Sequence, residues 1–219
     1  MSDSSGRQVD APDSLPLEGS LCYRLLASMP DSMKRAVLGQ YWAAKALMQD
    51  IQDYASEIIG HVPMHGIRLW WYRHICGMRI GDRSSIHRRC RMYRPTGIDV
   101  GDHSVVDYGV LLDGRGGLCI GDNVSISEGT VILTLEHNVD DRALKMRWGP
   151  LDVNARAFIG ARAYLLPGVT IAEPACVGAV ALVTKNFAPH TEVLGRPPRD
   201  IRDRSRHLGY DCNYGKRSA

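Results

Sequence analysis

Several features that the chain lacks already limit what it can be. No run of 18 apolar residues occurs, so no membrane-spanning helix is expected. The opening MSDSSGRQVD has neither a basic n-region nor an apolar h-region, which argues against export and for a cytoplasmic location. Six cysteines (Cys22, Cys76, Cys90, Cys119, Cys176 and Cys212) are scattered, with no C-x-x-C and no His/Cys cluster at zinc spacing. They read as small core or surface thiols of a reduced compartment, and no metal is expected. Basic residues exceed acidic ones by only 27 to 24, a net charge of +3, too small an imbalance to imply a nucleic-acid binder.

The two common periodicities are also missing from residues 153–183, VNARAFIGARAYLLPGVTIAEPACVGAVALV. Here an aliphatic side chain returns at every sixth position: Val153, Ile159, Leu165, Ile171, Val177, Val183. An amphipathic helix repeats near 3.6 and a half-buried strand at 2, so a period of six fits neither. It fits a hexapeptide-repeat parallel β-helix, in which each hexad makes one flat face of a triangular coil and the aliphatic residue points inward. The residue two before each is small or β-branched (Ala157, Ala163, Val169, Ala175, Ala181) and the residue after is often small (Gly160, Ala172, Gly178), leaving room for a corner. Coils stacked at about 4.8 Å would pile the aliphatic positions into one interior column.

The same phase begins at Ile80, Ile86, Met92 and Ile98, resets at Val100, Val106 and Leu112, and resets again at Ile120, Ile126 and Ile132. Each reset falls at a glycine-bearing segment, RPTGID or DGRGG. The phase then lapses through LTLEHNVDDRALKMRWGPLD, a polar stretch predicted to be thrown out of the solenoid, where function is usually carried. Upstream, Asp31 or Ser32 can cap a helix with apolar residues at Val37, Tyr41, Ala44, Met48, Ile51, Ala55 and Ile58, ending near Gly60 and Pro63. Its other face mixes acids and bases, so the stripe is expected to pack on protein rather than on a membrane. RLWWYRHICGM is predicted to be a second helix covering the first coil, because an open solenoid end needs a cap. The expected organisation is a tail over 1–20, a helical extension and cap over 21–77, a β-helix over 78–203 with an extruded loop at 134–152, and a C-terminal tail over 204–219.

IGDNVSISEGTVILTLEHNVDD, FIGARAYLLPGVTI and VGAVALVTKNFAPHTEVLGRPPRDI carry a resemblance that covers about residues 61–203. They resemble the hexapeptide-repeat acyltransferases, in the branch of galactoside, maltose and colanic-acid-type exopolysaccharide O-acetyltransferases. The last segment is similar to that family's VGAGSVVTKDVPPYTIVAGNPAKVI. The resemblance implies an all-β fold, a left-handed parallel β-helix with an N-terminal helical extension. It also implies a homotrimer with active sites in the grooves between neighbouring β-helices, and acetyl-CoA as co-substrate laid along the coils, without metal.

Residue by residue, the resemblance places His137 on the catalytic histidine of a T-x-x-H. A sugar hydroxyl is too weak an acid to attack a thioester unaided, and an imidazole can take its proton near neutral pH. Glu136 beside it could orient the ring. Asp107 and Asp113 match the segment from which family members bind acceptor hydroxyls, a task suited to carboxylates. Phe158 falls where a Trp lies beside the thiol arm of the coenzyme. Gly160, Ala161 and Ala179 match backbones facing pantetheine, Thr184 and Lys185 match the adenine end, and Arg199 and Arg202 match basic positions near the phosphates. The chain departs from the pattern where GAGS becomes Gly178-Ala179-Val180-Ala181.

The expected activity is transfer of an acetyl group to a hydroxyl of a sugar or glycosylated metabolite. An amine acceptor or a xenobiotic such as a streptogramin would use the same fold and base, and a non-catalytic β-helix scaffold is the other reading. The γ-type carbonic anhydrases of this fold need converging histidines, and His87, His103, His137 and His190 lack their paired H-x-x-x-x-H spacing.

Overall fold

The computed structural model describes residues 28–195 and the backbone of 199–203. The calls at Arg199 and Arg202 lie outside the described side chains. Two helices precede the strands: α1 (Asp31–Gly60) and α2 (His65–His74). Asp31 stands in the first turn of α1, where a carboxylate complements the helix dipole.

Among the described residues, Val37, Met48, Ile51 and Ile58 of the apolar stripe of α1 are exposed. The last two turns of α1 meet the coils through Asp53 and Gly60. Ser56 and Gly60 are buried, Gly60 O accepts the Arg89 N–H at 2.9 Å, and Asp53 Oδ1 accepts the Arg94 N–H at 3.1 Å. Small residues let two backbones approach closely, and in α1 they lie on a different face from the aliphatic stripe.

From Arg79 onward the chain winds into a parallel β-helix with three sheets. The first face stacks Arg79–Ile80, Ile98–Val100, Leu118–Ile120, Leu151–Val153 and Thr170–Ile171. The second stacks Ser85–Ile86, Val105–Val106, Ser125–Ile126, Phe158–Ile159, Cys176–Val177 and Thr191–Leu194, and Arg199–Asp203 adds antiparallel at its edge. The third stacks Arg91–Tyr93, Leu111–Asp113, Val131–Ile132, Tyr164–Leu165 and Leu182–Val183.

Register is strict: Val100 pairs Ile120, Ile120 pairs Val153 and Val153 pairs Ile171, so every hexad aliphatic sits on the one below. Ile86, Leu112, Ile126, Ile132, Ile159, Leu165 and Val183 are fully buried. Removing each such side chain from water stabilises the fold by about 1.5–3 kcal/mol. Ala157, Ala163, Ala175 and Ala181 fill the inner corners, which accounts for the small residues two places before each aliphatic.

The corners between second and third faces are left-handed throughout: Arg89, Gly109, Gly129, Arg162 and Val180 have φ between 57° and 68°. A β-branched residue in this region is a steric outlier, so Val180 holds its turn at a torsional cost of about 1–2 kcal/mol.

Helix α2 closes the first coil. Leu69 and Tyr72 are buried in the same cluster as the aliphatic column. Arg68, also without exposure, donates to Val62 O at 2.6 Å, Pro63 O at 3.1 Å and Ile86 O at 3.2 Å. A buried guanidinium is costly unless hydrogen-bonded, and burial lowers its pKa. Among the described residues no helix is long and apolar enough to cross a membrane.

Candidate active site

Among the described residues the chain makes one long excursion from the coils, at the third corner after Val131–Ile132. There the chain leaves as a two-stranded antiparallel hairpin, Leu135–His137 against Met146–Trp148, and returns to the first face at Leu151. The segment predicted to be thrown out of the solenoid is therefore a paired ribbon. Glu136 and Arg147 face each other across it and form an ion pair. Thr134, the first residue of the T-x-x-H, is buried at the root, where its carbonyl accepts the Gly149 N–H at 3.0 Å.

His137 is exposed near the far end of its strand, with Nδ1 2.9 Å from the Leu144 carbonyl oxygen. A carbonyl can only accept, so in the neutral ring Nδ1 carries the hydrogen and Nε2 keeps a bare lone pair. Leu144 presents this carbonyl from a left-handed conformation, φ 50°, with its own N–H donated to Asp141 O at 2.9 Å. Leu144 carries no recognisable sequence signal, because leucine is not a residue expected in that region.

The other predicted residues separate into groups. Glu136 belongs to the hairpin but turns to Arg147 rather than to His137. Asp107 lies at a second corner, with Oδ1 2.9 Å from His87 Nδ1 and also accepting the Tyr108 N–H at 2.8 Å. Asp113 has no exposure, and its oxygens accept from Arg115 and from the Thr134 N–H. The expectation that Asp113 meets acceptor hydroxyls is corrected, because a carboxylate so enclosed offers a ligand no lone pair. Hydrogen bonding to Asp113 raises the pKa of Arg115.

Gly160, Ala161 and Ala179 are brought together at second corners of successive coils: a Cβ on Gly160 would meet Ala179 N at 2.5 Å, and the Val180 N–H donates to Ala161 O. Phe158 is half-buried on the outside of the second face, between Ser125 and Cys176. Thr184 and Lys185 are exposed at a third corner, with Lys185 Nζ 5.6 Å from the Phe187 ring centre. His137 and the Gly160 group thus stand on different edges of the triangular coil. Among the described residues no group of three or more His, Cys, Asp or Glu is gathered as for a metal ion.

No family model matches the chain. It is 35% identical over 88 residues to a protein of Schizosaccharomyces pombe provisionally named an acetyltransferase, covering 39% of this chain and 42% of that one. It is 29% identical over 116 residues to galactoside O-acetyltransferase of Escherichia coli, covering 50% and 57%. The chain thus spans about half the length of the curated relatives it matches. Among solved structures, a hexapeptide-repeat-containing acetyltransferase of Vibrio cholerae complexed with acetyl coenzyme A matches with a TM-score of 0.68 and 26% identity, over 74% of this chain and 90% of that one. A maltose O-acetyltransferase from Clostridium difficile shares the fold, with a TM-score of 0.64 at 21% identity over 72% and 86%. In its coils and in its sequence, the chain is similar to the hexapeptide-repeat acetyltransferases.

Proposed function

We propose that the protein transfers an acetyl group from acetyl-CoA to a hydroxyl of a sugar or glycosylated metabolite, with His137 as general base. The observation that carries this reading is the contact between His137 Nδ1 and the Leu144 carbonyl, which leaves Nε2 free to accept a proton at the surface. As the acceptor oxygen attacks the thioester carbonyl, Nε2 takes its proton. The imidazolium then returns that proton to the departing thiolate, so the base ends each turnover as it began.

Ala161 and Ala179 are small residues at the outside of a corner, and the buried Gly160 lets the two coils close up there, a surface that suits the extended pantetheine arm. Phe158 would lie beside that arm, Thr184 and Lys185 at the adenine end, and Arg199 and Arg202 at the phosphates. Asp107 and Glu136 are the carboxylates proposed to receive acceptor hydroxyls. Because His137 and the Gly160 group occupy different edges of one coil, a neighbouring copy is needed to complete each site. A homotrimer with three groove sites meets that need. Sedimentation of an active, stable monomer would defeat this arrangement.

The deciding experiment is His137→Ala assayed with acetyl-CoA against a panel of sugars, glycosides and amines, by thiol release and product mass. Turnover should fall by about 100- to 10,000-fold with acetyl-CoA binding retained. The thermal midpoint should hold, since the residue lies outside the aliphatic column. A folded variant within about threefold of the parent would remove His137 as base.

A further inference from the structure

We propose that Asp113, Arg115 and Thr134 form a buried clasp that positions the hairpin bearing His137, an inference resting on the reading of His137 as base. Asp113 is the one buried carboxylate among the described residues. Its Oδ1 accepts the Arg115 backbone N–H at 3.0 Å and Nε–H at 2.8 Å, and its Oδ2 accepts Arg115 Nη2 at 3.0 Å and the Thr134 N–H at 3.1 Å. Thr134 Oγ1 donates to Asp113 O at 2.9 Å and accepts the Gly116 N–H at 2.8 Å. The Arg115 guanidinium also stacks over the Tyr93 ring, 4.7 Å from its centre.

A carboxylate is buried at a cost of several kcal/mol unless it is paired and fully hydrogen-bonded. Here that pairing is spent at the one corner where the chain departs. Thr134 is where both hairpin strands are tied: its N–H and hydroxyl bind the coil below, and its carbonyl binds Gly149, where the second strand returns. Beyond this root the hairpin has little to hold it, since His137 and Met146–Trp148 are exposed, and an isolated two-stranded hairpin is marginal in water. The direction in which His137 projects is therefore set at Thr134. The linkage extends further back, because Arg94 Nη1 donates to Arg115 O at 3.3 Å while the Arg94 N–H is held by Asp53 of α1.

The test uses the full chain with Thr134→Val, Thr134→Ser and Asp113→Asn. Hydrogen exchange read by mass spectrometry compares amides of 135–148 with those of the coils at 98–126, and kinetics are measured in parallel. Thr134→Val should speed exchange in the hairpin and leave the coils unchanged. It should lower kcat by roughly 10- to 100-fold, as for a displaced catalytic group, while KM for acetyl-CoA and for the acceptor holds. Asp113→Asn should do the same, and Thr134→Ser, which keeps the hydroxyl, should restore both readouts.

Hairpin exchange that is unchanged in both Thr134→Val and Asp113→Asn would overturn the clasp, as would a loss confined to acceptor KM, the mark of a ligand-binding carboxylate. Should Asp113→Asn fail to fold, the nearly isosteric Thr134→Val and its Ser rescue carry the decision. Exchange is read without substrate, so a parent protein that transfers no acetyl group would sink the reading of His137 while the clasp is still judged on its own.

Discussion

Leu144 supports His137 through backbone geometry alone, and Leu144→Pro isolates that contribution. Proline fixes φ near −65°, whereas Leu144 sits at +50°, so the substitution must swing the carbonyl away from His137 Nδ1 and remove the N–H given to Asp141. The hydrogen bond that selects the tautomer is worth about 0.5–1.5 kcal/mol, a bias of between about twofold and about tenfold in the population with Nε2 free. Turnover should fall by that factor, far less than the loss expected from deleting the imidazole. Leu144→Gly should leave turnover close to that of the parent, because glycine enters positive φ freely and keeps the carbonyl in place. Steady-state kinetics at saturating acetyl-CoA on the two variants provide the assay. Proline without effect, or glycine as damaging as proline, would refute the argument that this carbonyl sets the ring.

Three further outcomes follow from other parts of the molecule. Ile159→Ala, in the middle of the column, should destabilise by about 2–5 kcal/mol in urea denaturation; a loss below about 1 kcal/mol would mean that the interior is not close-packed there. Burial pushes the Cys90 thiol up to about 12 and Tyr72 above its ordinary range. The unfolded chain therefore releases protons first: stability is full below about pH 8.5 and declines toward about pH 12, and a urea midpoint constant to pH 11 would contradict this. Arg199→Glu should raise KM for acetyl-CoA while sparing turnover at saturation, and an unchanged KM would remove Arg199 from the phosphate site.

The β-helix was legible because its rule is local and repeated. Each coil demands an inward aliphatic every sixth residue and a small residue two before it, and Ile159 with Ala157, or Leu165 with Ala163, meets that demand in adjacent letters of the sequence. The hairpin escaped detection because Met146–Trp148 is exposed throughout, so pairing leaves no alternation of apolar and polar residues. Asp113 was misjudged for another reason. DGRGG reads as a polar turn until Thr134, 21 residues later, is stacked against it. The His87–Asp107 pair likewise exists only because two coils lie in register. At the end of α1 the hydrogen bonds to the coils come from Asp53 and the backbone of Gly60, which hydropathy does not rank.

The hairpin leaves and re-enters the wall through an opening one hydrogen bond wide, from the Gly149 N–H to Thr134 O, and the coil resumes with Ile120 beneath Val153 as though nothing had intervened. The stacked sheets cannot sense how long the excursion is. In polymer terms, doubling the length of such a loop costs only about 0.6 kcal/mol of closure entropy. The architecture therefore behaves as a socket: ribbons of other lengths and side chains can be fitted at Thr134–Gly149 without disturbing the register of the coils on either side.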